Sequence, residues 1–282
     1  MTDGQLAVAL VLASALMHAT WNAIVKLSGE RLAVMAVVDS LCFLIALSFT
    51  PFVPWPPAAA WPFLATSVLI AAVYKVAFLG AYRHGDFTQV YPLMRGSAPL
   101  LIAIYALAFG TDRLSLISFA GIAIVSIGLF ALLDWKNGRP ILLFFALCTG
   151  ACLAAATVND GTAVQGHIAP FTYIVWLEVL EHIPLPLYAM AKRRPQYLKA
   201  LRDQWRSAGT AAVNRVGSYG LMVFAMSLAP IAPLAALRES SVVFGALIGH
   251  FILKERLGVK RSVATGLVVV GIAVLQLARA VT

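Results

Sequence analysis

Residues 90–109 read VYPLMRGSAPLLIAIYALAF. The stretch carries one formal charge, Arg95, among residues that are otherwise apolar or small, with Pro92 and Pro99 on either side of it. A helix of ~20 apolar residues spans a hydrocarbon core of ~30 Å. The stretch therefore predicts a membrane-crossing helix. An arginine inside one costs ~2.5–3.5 kcal/mol on insertion scales unless it meets a cavity or a partner.

The rest of the chain has the same texture. Of 282 residues, 61% are apolar and only 12% are charged, and the mean hydropathy is +0.87. A soluble domain is about a quarter charged. The apolar blocks are too long and continuous for β-barrel strands, which alternate over ~10 residues. The formal charge of +9 sits mostly in short loops, which fits positive-inside bias better than nucleic-acid binding. Cys42, Cys148 and Cys152 lie in apolar blocks without metal spacing, and read as small packing residues. The N-terminus has no basic n-region or convincing cleavage site, so it reads as a retained first helix rather than a signal peptide.

The fold class expected is an all-α polytopic membrane protein with ten transmembrane helices. They fall near 5–27, 32–53, 61–82, 87–109, 115–134, 140–163, 168–190, 207–228, 230–252 and 260–280. PFVPWPP (51–57) cannot continue a helix, because proline lacks the N–H and clashes with the preceding turn. DWKNGRP (134–140) is a polar turn with a proline to start the next helix. Residues 192–206 read as the longest polar loop. Trp55, Trp61, Trp135 and Trp205 mark block edges, where an amphipathic ring prefers the headgroup level.

The sequence also repeats itself. Arg95 and Arg238 are 143 positions apart, and the same ungapped offset pairs Ser97 with Ser240, Arg113-Leu114 with Arg256-Leu257 and Gly128 with Gly271. Asp112 falls on Glu255. A shorter offset lays Thr20-Trp21-Asn22 onto Thr157-Val158-Asn159. The chain thus divides into two five-helix repeats, 1–138 and 139–282. Five is odd, so the second repeat inserts upside down. Inverted repeats around a midplane site characterise secondary transporters. With both termini outside, the inward loops hold fifteen lysines and arginines against Arg113 and Arg279 outward, a split that favours that orientation.

HATWNAIVK (18–26), the paired turns TDRLS (111–115) and KERLG (254–258), and the glycine-bearing helix after each turn resemble the drug/metabolite transporter superfamily, EamA type. The resemblance covers nearly the whole chain. It implies a ten-helix transporter with a central cavity lined mainly by helices 1, 3, 4, 6, 8 and 9. Members are often described with both termini in the cytoplasm, the opposite of the charge count, and Asp112 stands where glutamate is usual. A weaker likeness, in length and the HATWN signature, is to a subgroup associated with phosphonate utilisation.

Polar side chains at membrane depth are the informative positions. Arg95 and Arg238 are each about nine residues into their helices. Two guanidiniums at one depth can clamp a carboxylate or phosphate bidentately, and Ser241 adds a hydroxyl. The competing reading is that each arginine neutralises a buried acid such as Glu239. Ser14, His18, Asn22 and Lys26 form a stripe on helix 1 beside Trp21. On the resemblance, Trp21 and Asn22 are substrate contacts. Tyr74, Lys75, Tyr91 and Asn214 complete the candidate binding residues. Glu178, Glu181 and His182 share a face of helix 7. Glu178, Glu239, Asp160, Arg215 and His18 are candidates for proton coupling or ion pairing, and Asp112 and Glu255 for turn formation.

There is no nucleotide-binding loop, Ser/His/Asp arrangement or metal spacing, so no enzyme activity, cofactor or metal is expected. The reading is a secondary transporter of a small polar metabolite with an acidic group (an amino acid, organic acid, phosphonate or phosphate ester). It would sit in a bacterial inner membrane and work by alternating access. A proton is a candidate coupling ion and a homodimer a candidate assembly. Alternatives are a flippase for lipid or lipid-linked substrates and, more remotely, a membrane-embedded enzyme.

Overall fold

The computed structural model describes residues 2–27, 31–84, 87–110, 112, 114–133, 140–166, 168–252, 254 and 258–281, without the side chains of 31, 79, 82–84, 87–92 and 279–281. Its helices are α1 (Asp3–Lys26), α2 (Arg31–Phe49), α3 (Trp61–His84), α4 (Phe87–Phe109), α5 (Leu116–Phe130), α6 (Pro140–Gln165), α7 (Pro170–Glu181), α8 (Pro184–Lys192), α9 (Arg194–Met226), α10 (Ile231–Arg238), α11 (Ser240–Leu247) and α12 (Val259–Val281). Among the described residues, seven helical stretches are long and apolar enough to cross a membrane, with shorter apolar helices over 93–109 and 116–130. With α9 beside them, the described residues make an all-helical, multi-pass membrane protein.

Local chemistry sets the ends. Thr2 caps α1 in a capping box with Gln5, and Ser115 caps α5, satisfying N–H groups that have no intrahelical partner. Pro51 ends α2 in a single 3₁₀ turn, Thr50–Phe52. In the next loop Trp55 lies 5.7 Å from the ring of Trp61 and 4.5 Å from that of Trp176. The Trp176 indole donates to the Pro54 carbonyl at 3.2 Å. This aromatic corner sits where headgroup-level tryptophans belong. Trp135 lies outside the described residues.

Three expectations change. The loop expected over 192–206 is helical, because α9 runs unbroken for 33 residues from Arg194. Its glutamine, leucine, lysine, alanine and arginine are good helix formers, and Pro195 occupies the first turn, where proline is tolerated. Polar composition says that this segment leaves the hydrocarbon, not that it leaves the helix. The span expected at 168–190 breaks after Glu181, where Pro184 begins α8. The span expected at 230–252 breaks at Glu239, whose N–H turns to the Ala236 carbonyl at 3.1 Å, and ends in a π-helical turn, Ile248–Ile252.

The packing partners are far apart in sequence. α1 crosses α9 and α3 crosses α6, while α4 lies on α6 and α10 and α11 lie on α1. α5 and α12 pair with each other. Lipid gives helices little hydrophobic reason to associate, so close approach at small residues and interhelical hydrogen bonds hold the bundle. A Cβ on Gly271 would stand 2.8 Å from the Gly121 carbonyl oxygen, and one on Gly128 3.1 Å from that of Ala264. At the α1–α9 crossing, Ser14 donates to the Ser218 carbonyl and Ser218 donates back to the Ser14 carbonyl at 2.8 Å. Asp112, expected only as a turn former, reaches the second half of the chain. It accepts from the Ala232 N–H at 2.9 Å and so caps the opening of α10. Glu255 lies outside the described residues.

Candidate functional site

Arg95 is 4% exposed, on α4 facing the break between α10 and α11. Its Nη2 donates to the Ser241 hydroxyl at 2.9 Å. Its Nε stands 3.0 Å from Glu239 Oε2, an ion-pair distance, although that N–H is off the hydrogen-bond line. Charge attraction is much less directional than a hydrogen bond, so the two groups still form an ion pair. Pro99 has no N–H, so the Arg95 carbonyl also lacks its helical donor. Arg238 ends α10, is half-buried, and lies with Arg95 and Arg215 within electrostatic range of His18. Three arginines, from α4, α9 and α10, thus act electrostatically on one imidazole of α1. Irregular backbone at the charged pair is the kind of feature that marks ion and substrate sites in transporters.

A second cluster joins α2, α7 and α9. Arg215 donates to Asp39, and its guanidinium lies over the Trp21 ring at 5.5 Å. His182 follows the last residue of α7. Its Nδ1 is 3.5 Å from Asp39 and its Nε2 is 2.8 Å from Glu178. Asp39, Glu178 and His182 are each at most 4% exposed. Arg215 balances one of the two carboxylates, and a protonated His182 would balance the other. Cys42, expected as a packing residue, shares this corner. Its ligand atom and those of Glu178 and His182 lie within 4.8 Å of one another. Hydrogen bonding already accounts for the His182–Glu178 arm, so a metal is not needed to explain the cluster.

A third cluster lies nearer the end where α6 stops and α7 begins. Asp160 of α6 accepts from the Ser67 hydroxyl of α3, from Tyr173 of α7 at 2.7 Å and from Tyr219 of α9 at 2.6 Å. Asn159 donates to Ser67 at 2.8 Å. Four helices therefore meet on one buried carboxylate.

The remaining predicted residues take varied places. Trp21 is half-buried and donates to His18 Nδ1 at 3.3 Å. Asn22 donates to the His18 carbonyl at 2.7 Å, and Asn214 to the Thr210 carbonyl at 2.9 Å, so each bonds its own helix. Tyr74 reaches Met94 Sδ at 3.7 Å, and Lys75 the Glu181 carbonyl at 3.4 Å. The Tyr91 side chain lies outside the described residues. Ser67, Tyr173 and Tyr219 were not singled out in sequence, where a hydroxyl gives no sign of the carboxylate it will meet. The helix-borne position of Asp160 was the available signal.

Residues 140–277 match the EamA-like transporter family. No curated protein matches the chain. Among 29 solved chains that match in structure, one titled only as a protein crystal structure aligns over 97% of this chain and 98% of its own, with a TM-score of 0.72 and 14% identity. At that identity it speaks to the fold alone. The likeness of this multi-pass membrane protein to the EamA-like transporter family is thus carried by residues 140–277, close to half of the chain.

Proposed function

We propose that the chain is a secondary transporter of a small polar metabolite bearing an acidic group, working by alternating access between two inverted repeats, 1–138 and 139–282. One observation carries the substrate class: Arg95, Arg215 and Arg238, from three different helices, all lie within electrostatic range of His18, which accepts from Trp21. Arg95 and Arg215 also meet Glu239 and Asp39, so an incoming anion would compete with resident carboxylates. Such an exchange gives the site two states, as alternating access requires. Paired contacts support the repeat. Under it the α1–α9 crossing answers the α3–α6 crossing, and the α4–α6 packing answers that of α10 and α11 on α1.

The test is solute counterflow in proteoliposomes, with ligands first chosen by thermal shift from amino acids, organic acids, phosphonates and phosphate esters. Arg238→Gln is the cleaner variant because Arg238 is only half-buried. It should cut counterflow of the anionic ligand at least tenfold while the protein stays folded. Full activity of Arg238→Gln toward every anionic ligand, or transport confined to neutral and cationic solutes, rejects the acidic substrate.

A proton is the coupling ion we propose, held by His182 between Asp39 and Glu178. Arg215, Lys75, Glu181 and Cys42 are the other charged or titratable groups at that corner. A pH-sensitive dye inside the vesicles should report proton movement with substrate. Glu178→Gln should abolish that movement before it abolishes counterflow. Equal loss of both would make Glu178 a structural group.

A further inference from the structure

The first three turns of α9 lie at the edge of the bundle and carry three distinct stripes. Tyr197 and Ala200 are buried, with Gln204 in line half-buried and Ala208 fully buried. Their spacing of three and four puts them on one face. That face packs on α2 and α8, and the Tyr197 hydroxyl lies 2.8 Å from that of Ser40. The segment is therefore docked, not a free extension. Beside the buried stripe runs an exposed apolar one: Leu198, Leu201 and Trp205 are 44%, 37% and 57% exposed. One position further on, at the same spacing, runs an exposed basic stripe of Lys199, Arg202 and Arg206. Lys192, Arg193 and Arg194 precede the helix's second turn. Asp203 is the one acid among them, and it neutralises Arg202 only in part from solvent.

We infer that the N-terminal turns of α9 form an interfacial element that binds anionic lipid. A large apolar face beside a cationic one is what lets a helix lie in the headgroup region, apolar side chains in the acyl boundary and cations among the phosphates. Each lysine or arginine near an anionic leaflet adds attraction, and clusters of about four to eight next to a span are the usual signature of acidic-lipid binding. The charge complementarity favours a lipid surface over a second protein, because exposed leucines and a tryptophan run beside a stripe of exposed cations on one helix. The Arg206 guanidinium lies 5.3 Å from the Trp205 ring, which holds cation and ring together at the same height.

The experiment uses the full chain in vesicles of phosphatidylcholine, with and without 30 mol% phosphatidylglycerol. Native mass spectrometry of detergent extracts should show phosphatidylglycerol retained several-fold over phosphatidylcholine. The triple variant Lys199→Gln, Arg202→Gln, Arg206→Gln should lose that preference, and added inorganic phosphate should not displace the lipid. Brominated lipids should quench the fluorescence component that Trp205→Phe removes. An unchanged thermal midpoint of the triple variant separates lost lipid binding from misfolding. The inference is overturned if the triple variant keeps the preference, or if Trp205 is quenched by aqueous acrylamide and not by brominated lipid. The latter outcome would indicate a wet face or a protein partner.

Discussion

Arg95 and Glu239 show what a charge needs in order to live inside a bilayer. Removing one partner strands the other, which costs about 3–5 kcal/mol for a buried pair. Arg95→Gln should therefore unfold at markedly lower temperature, while Arg95→Gln with Glu239→Gln should recover most of the loss. A thermal-unfolding double-mutant cycle in detergent reads the coupling, and a double variant as unstable as the single one would show that the pair does not act as a unit. Tyr219 makes a similar case at Asp160. Tyr219→Phe keeps the ring and removes a donor to a buried carboxylate, a bond to a charged group worth about 1.5–3 kcal/mol. Ser67 and Tyr173 still hold the other oxygen, so the variant should fold with a lowered midpoint. An unchanged midpoint would mean that water takes over the hydroxyl's place.

At the scale of helices, closeness is bought with small residues. Gly271 of α12 faces Gly121 and Val125 of α5 with no room for a Cβ. Gly271→Leu should force the two helices apart and cost about 1–3 kcal/mol as overpacking, visible as reduced yield and an earlier thermal transition. Gly266→Leu, on the same helix, where a Cβ meets nothing within 4 Å among the described residues, is the matched control. Asp112→Ala removes the cap on α10 and should cost about 0.5–2 kcal/mol. Because that cap joins a turn of the first half to a helix of the second, counterflow should suffer along with stability. The breaks at Glu181 and Glu239 were hidden in the sequence for different reasons. Pro184 was visible, yet hydropathy continues across it. At Glu239 no residue forbids a helix, and the interruption belongs to the charge it pairs with on α4.

At the scale of the molecule, the split of lysine and arginine between the loops predicts that both termini face outside. A C-terminal alkaline phosphatase fusion should be active if Thr282 faces outside, and an inactive but well-expressed fusion rejects that topology. The sequence by itself determined the membrane class and nearly all of the helix positions. Those rest on local quantities, the length of apolar runs and the placement of proline, which any neighbour leaves unchanged. It also marked Arg95, Arg215, Arg238, Glu178, Glu239 and Asp160 as costly, because the solvent penalty for a charge is known before the fold is. Only the tertiary structure decided who repays that penalty. Arg95 meets Glu239, Arg215 meets Asp39 and Trp21, and Asp160 meets three hydroxyls from three other helices. It also decided that residues 194–206 remain helical, since polarity marks an exit from lipid and only docking on α2 and α8 fixes the path after it. Those partners are tens to hundreds of residues apart, and no local pattern encodes which charge a helix will find across a bundle.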